Sequence, residues 1–289
     1  MISGSNIESF PQLAQWVLSF ASASSNQLVR SVESLLKRVF SIESVVPDPY
    51  IWPFRDQDSL EGAIRKSQSG SALNLVLWEN IGHNCEAFQI VFAFKGLELL
   101  KSAIHSLNLK EFVPSAVLAR AVLEHTAYFM DKVTYILKNI RRIDFKQGAV
   151  TSSPEFEEEI IRTIFGTRLE EGEFKDLPHQ SNILNSINRI TKSPHPEHQE
   201  LSKRYAFLCE LAHPNVAGNA RFWSHVDGVD SEGRQRLVMS RNADSEMTRL
   251  ITENSLWALG WSAGMLFQSF EDMNEVKLTL QTKLLRTSR

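Results

Sequence analysis

The sequence predicts an all-α protein: a helical bundle with one β-hairpin near residues 220–240. Glycine and proline are scarce, 13 and 10 in 289 residues, so the chain has few places to turn. Apolar side chains recur at helical spacing over long stretches, above all from Leu75 to Leu107 and from Asp244 to Lys283. Strand-like runs are confined to Phe222–Val226 and Arg236–Ser240, with Asp227-Gly228 and Glu232-Gly233 between them as turn signals.

Taken in order, the first 46 residues read as two helices, roughly Ile7–Ala21 and Asn26–Ser44. The second has Leu28, Val32, Leu35, Leu36, Val39 and Phe40 at helical spacing. Pro47, Pro49 and Pro53 then forbid helix, and the neighbouring aromatic residues predict a loop that packs on a surface. Residues 1–70 are expected to form an N-terminal helical extension, with 71–289 as the bundle core. Leu75 to Leu107 is apolar on nearly all sides, the pattern of a buried helix or helix pair. Pro114 opens the next helix, through Ala116, Leu118, Val122, Phe129, Val133, Ile136 and Ile140, and Lys138, Arg141 and Arg142 suit its negative end. Ser153-Pro154-Glu155 starts an acidic helix. Glu155 to Asp176 holds eight acids and three bases, a solvated face rather than a metal cluster. Short helices are expected over Asn182–Ile190 and, beyond Ser193-Pro194-His195-Pro196, over Glu197–His213.

Thirty-one basic side chains against 34 acidic ones give a net charge of −3. That balance argues against broad electrostatic capture of nucleic acid or anionic membrane. Met1 to Phe10 has no basic region of the kind that opens a signal peptide. Ser9–Val29 is too polar to span a bilayer and Asn254–Phe270 too short, so no membrane association is expected. Cys85 and Cys209 form no CxxC pair, which fits a reducing, cytoplasmic setting. No P-loop, dinucleotide fingerprint or GxSxG elbow is present, and no cofactor is expected.

One constellation stands out. Arg120 and Glu124 are the only charged residues between Phe112 and Met130, and they lie four apart on one helix face with apolar flanks. The order is the less favourable one for a surface pair, so the two are expected to be half-buried against another element. They are read either as a structural ion pair or as part of a pocket that takes in His125 and Tyr128. His213 precedes Pro214 and so ends its helix. It is read as a C-terminal cap or as a proton donor and acceptor aimed into a cleft. Asn215 would fix a substrate or close the turn. Glu210 and His213 spell Glu-x-x-His, but a di-metal bundle needs a second such motif and two further glutamates. No metal site is expected, there or at His195-Pro196-Glu197-His198. Gly260 and Gly264 make a GxxxG, read as a close approach of another helix or a dimer seam.

Two segments carry a resemblance: Leu118-Ala119-Arg120-Ala121-Val122-Leu123-Glu124, and Tyr205 through Gly218 around Leu208-Cys209-Glu210-Leu211-Ala212-His213-Pro214-Asn215. Together they resemble a group of uncharacterised bacterial helical proteins that is similar to HEPN-type domains, over roughly residues 75–270. The resemblance implies a helical bundle, often dimeric, and a metal-independent ribonuclease of the toxin or phage-defence kind. Such domains place an arginine four to six residues before a histidine. Here Arg204 precedes His213 by nine, and nine helical steps point the two side chains to opposite faces. Two functions therefore stand as expectations. One is a non-enzymatic, self-associating binding or regulatory protein in which Arg120, Glu124 and His213 form a structural network. The other is a ribonuclease in which His213 moves protons, Arg120 stabilises the phosphorane and Glu124 orients either one. A homo-oligomer, and RNA or a nucleotide, are the partners this implies.

Overall fold

The structure is a computed structural model and describes residues 11–145, 149–169, 171–172, 175–243 and 245–287. The expected start of the first helix, Ile7–Phe10, the N-terminal segment read against a signal peptide, and Asp244 lie outside the described residues. Of the described residues 71% are helical, and they include a single two-stranded hairpin. The order is α1 (Gln15–Ala23), α2 (Gln27–Arg30), α3 (Val32–Phe40), a 3₁₀ turn (Ser41–Ser44), α4 (Gln57–Lys66), α5 (Gly70–Asn108) and α6 (Phe112–Arg142). Then come α7 (Pro154–Phe165), α8 (Ile183–Thr191), α9 (Pro196–Ala212), α10 (Val216–Ala220), β1 (Trp223–Val229), β2 (Gln235–Met239) and α11 (Glu246–Thr287).

The contacts divide the chain into two compact units that do not coincide with 1–70 and 71–289. The first unit is 1–41, 96–126 and 190–264; the second is 42–95, 127–189 and 265–289. The helices α5, α6 and α11 contribute residues to both, so each unit is assembled from segments far apart in sequence.

In the first unit, Val17, Val29, Leu36, Leu100, Ile104, Leu123, Leu208 and Trp257 are buried. The helix expected over Asn26–Ser44 is interrupted at Ser31, whose ψ of −1° leaves the helical range. Asn26 caps α2 by accepting from the Leu28 and Val29 amides. The GxxxG of α11 faces these helices. A Cβ on Gly260 would stand 3.3 Å from the Leu28 carbonyl oxygen, and one on Gly264 3.5 Å from Leu35 Cδ2. The small residues of α11 are thus spent on the close approach of α2 and α3.

In the second unit, Trp78 is fully buried and donates its indole N–H to the Thr151 carbonyl at 2.9 Å. Asn74 clamps the same stretch, donating to the Ala149 carbonyl (2.8 Å) and accepting from the Thr151 amide (2.7 Å). Lys132 of α6 pairs with Glu159, so the acidic face of α7 is partly neutralised from α6, and Arg189 of α8 pairs with Asp131 of α6. The proline-rich loop packs as expected through Trp52, whose ring stacks on Phe165 at 5.8 Å. Helix α4 has no buried residue; its N-cap is Asp56, which accepts from the Ser59 amide at 2.7 Å. Among the described residues, no helix is long and apolar enough to cross a membrane.

Candidate functional site

Arg120 and Glu124 sit in the part of α6 that belongs to the first unit, one turn apart. Arg120 Nε donates to Glu124 Oε1 at 2.9 Å, and each side chain retains 27% of its exposure. The element they face is α9. The Tyr205 hydroxyl donates to the same Glu124 Oε1 at 2.9 Å, and the Arg120 guanidinium lies over the Tyr205 ring, 5.7 Å from its centre. Burial works against the Arg120 charge, but neighbouring Glu124 outweighs it and holds the guanidinium above its ordinary pKa. Burial, Cys209 one turn along and the Glu124 carboxylate push the Tyr205 phenol well above its ordinary pKa. The result is a half-buried triad of one cation, one anion and one neutral phenol.

His213 is not the partner that Glu124 takes from α9. It lies eight residues beyond Tyr205, about 12 Å further along the helix axis. It is the exposed C-terminal cap of α9, with extended backbone at φ −99° and ψ 151°. Asn215 closes the turn that follows. Its Oδ1 accepts from the Gly218 amide at 3.1 Å and caps α10, its Nδ2 donates to Glu210, and its own amide donates to the His213 carbonyl at 2.8 Å. His125 is buried on α6. Tyr128 belongs to the second unit, where it is buried against Phe92 with Lys132 Nζ 5.4 Å from its ring centre; burial raises its pKa. Arg204 turns away from this set, donating to Asn254 Oδ1 at 3.0 Å and pairing with Glu200 and Glu253. Among the described residues no group of three or more His, Cys, Asp or Glu is placed to hold a metal ion.

A second feature of the first unit is the hairpin. Its root is fixed by Arg221, which is 5% exposed and donates to the Ala243 carbonyl (2.7 Å) and the Arg241 carbonyl (3.2 Å). The same guanidinium lies 4.7 Å from the centre of the Phe112 ring. The Ser240 amide donates to the Phe222 carbonyl at 2.8 Å and closes the base. Beyond that base both strands are exposed almost throughout. The register pairs Trp223 with Met239, Val226 with Leu237 and Val229 with Gln235, with bulges in β1 between the first two pairs and between the last two. Alternate residues of the unbulged β2 share a face, and paired residues share it with them. One face of the hairpin is therefore Trp223, Val226, Val229, Leu237 and Met239, with Gln235 at its end. These five apolar side chains are 37%, 53%, 61%, 43% and 67% exposed.

Comparison with known proteins finds no matching family, no curated relative and no similar solved structure. The candidate sites therefore stand on their own geometry.

Proposed function

We propose that this chain is a non-enzymatic helical binding protein that pairs with a second copy of itself through the apolar face of its hairpin. The observation that carries this reading is the uncovered face on a fixed root. A two-stranded hairpin standing alone in water is marginal at best. Here the root is locked by Arg221, while the five apolar side chains beyond it remain 37–67% exposed. Their exposed surface is on the order of 500 Å², the size of the largest patch on a typical monomer and often a functional one. Two such faces together would bury about 1,000 Å², the lower bound for a specific interface.

The rim favours a second copy over a charged partner. Arg236 pairs with Asp227 at 3.0 Å, and Arg234 with Asp230 at 2.8 Å and Glu232 at 3.0 Å, all within the hairpin. Charges neutralised in this way offer little to nucleic acid or a membrane surface. An uncharged apolar face is self-complementary across a two-fold axis, as an isologous dimer requires.

The nuclease alternative needs His213 beside Arg120. What supports the binding reading instead is that Glu124 already holds Arg120 and Tyr205, while His213 caps a different turn. Sedimentation of the wild-type chain beside an RNA-cleavage assay in chelator tests the proposal. A dimer that leaves RNA intact supports it. A monomer at every concentration overturns it, as does RNA cleavage that is lost in His213→Ala.

A further inference from the structure

A cavity of 710 Å³ opens in the first unit, at the junction of α1, the α5–α6 turn and the start of α11. Its walls include Trp16, Phe20 and Phe112, and its basic residues are Lys110, Arg221, Arg241 and Arg249, with no acidic residue among the described residues of the lining. Two of the four cations are engaged. Arg221 is bonded to backbone carbonyls, and Arg249 is paired with Glu246 and Glu253. Lys110 and Arg241 are exposed, and among the described residues neither pairs with a carboxylate. Lys110 Nζ stands 5.5 Å from the centre of the Trp16 ring, so one cation and one aromatic face already meet.

The backbone adds an independent observation. Lys110 has φ +61° and is the one non-glycine residue at positive φ among the described residues. It occupies the left-handed position that ends α5. Its amide donates to the Leu107 carbonyl at 2.9 Å, and the next amide, of Glu111, donates to the Ser106 carbonyl at 2.9 Å. Glycine is the favoured residue at such a position, because it has no Cβ to clash. The chain instead carries a lysine there, and that lysine's ammonium faces the cavity's aromatic wall.

We infer that this cavity binds a small aromatic phosphate: a planar ring seated against Trp16 and Phe20, bearing a phosphate monoester held by Lys110 and Arg241. Two cations that pair with no carboxylate among the described residues match the near −2 charge of a phosphate monoester at neutral pH. Aromatic walls match the ring, and the volume suits a ligand of this size. The inference does not depend on self-association, since every lining residue belongs to the same chain.

Isothermal titration with 1-naphthyl phosphate tests it, with 1-naphthol and inorganic phosphate as the ring-only and charge-only probes. One molecule of 1-naphthyl phosphate should bind per chain, at least tenfold tighter than either control. Lys110→Glu and Arg241→Glu should each weaken binding about tenfold, whereas Lys203→Glu, an equal charge change on α9, should not. Lys110→Gly separates ligand binding from folding. It removes the ammonium and relieves the left-handed backbone, so binding should fall while the melting temperature does not. No binding at millimolar probe overturns the inference. So does equal affinity for either control, equal weakening by Lys203→Glu, or full binding by Lys110→Gly.

Discussion

The Tyr205 hydroxyl donates to Glu124 Oε1 at 2.9 Å, and the same oxygen accepts from Arg120 Nε at the same distance. One carboxylate oxygen thus ties α6 to α9 and holds the guanidinium over the Tyr205 ring. Removing the phenolic hydroxyl costs one hydrogen bond to a charged acceptor. Tyr205→Phe should lower unfolding stability by about 1.5 kcal/mol, measured by urea titration, with the slope unchanged. Glu124→Gln should cost more, because it leaves Arg120 half-buried without its anion.

The same contact sets an alkaline limit. The Tyr205 phenol has a folded pKa raised above its ordinary value of 10.0 by burial, Cys209 and Glu124. Below pH 10 the phenol is neutral in both states and its contribution is complete. Above that the unfolded chain ionises first, so stability falls as pH rises toward the folded value. Melting temperatures between pH 9 and 11 should decline in the wild type and decline less in Tyr205→Phe.

An acid limit is expected at His198, which is buried in the first unit with its ring 6.2 Å from that of Trp261 and 4.9 Å from that of His195. Burial, then the neighbouring His195, hold its pKa below the ordinary 6.5. Above pH 6.5 the ring is neutral in both states. Below it the unfolded chain takes up the proton first, so stability drops as pH falls toward the folded value. His198→Phe should flatten the dependence of melting temperature between pH 6.5 and 5, even if the variant is less stable at pH 7.

Helix packing at the two small residues of α11 makes an asymmetric prediction. A Cβ at Gly264 meets Leu35 Cδ2 at 3.5 Å, ordinary contact, whereas one at Gly260 meets the Leu28 carbonyl oxygen at 3.3 Å. Alanine gains up to about 1 kcal/mol of helix propensity at either site. Only at Gly264 is that gain free of a backbone clash. Gly264→Ala should be more stable than the wild type by chemical denaturation, and Gly260→Ala less stable than Gly264→Ala.

The long helices were legible because their apolar residues keep helical period for many turns, as in α6 and α11. The Arg120–Glu124 pair was legible as two charges in an apolar run. Its partner was not. Tyr205 reads as one more member of the apolar stripe of Leu201, Leu208 and Ala212, and nothing in the spacing shows that its hydroxyl reaches α6. The two units were hidden for a related reason. The proline-rich loop at Pro47–Pro53 looks like a boundary, yet α5, α6 and α11 run on between units with no break in composition. The hairpin was announced by Glu232-Gly233 in its turn, whereas Asp227-Gly228, the other expected turn signal, lies within β1 at its second bulge, and nothing announced the apolar face. Two bulges in β1 put Trp223, Val226 and Val229 three apart on one side, which disguises the strand period of two.

The central claim is that the apolar face of the hairpin joins two copies of this chain, and light-scattering mass across a concentration series tests it most directly. The wild type should approach twice its chain mass of 32.8 kDa as concentration rises. Leu237→Glu, which puts a charge in the middle of the face without touching the Arg221 root, should stay at the chain mass with an unchanged helical circular dichroism spectrum. A wild type that remains at 32.8 kDa, or a Leu237→Glu variant that dimerises as well as the wild type, would contradict it.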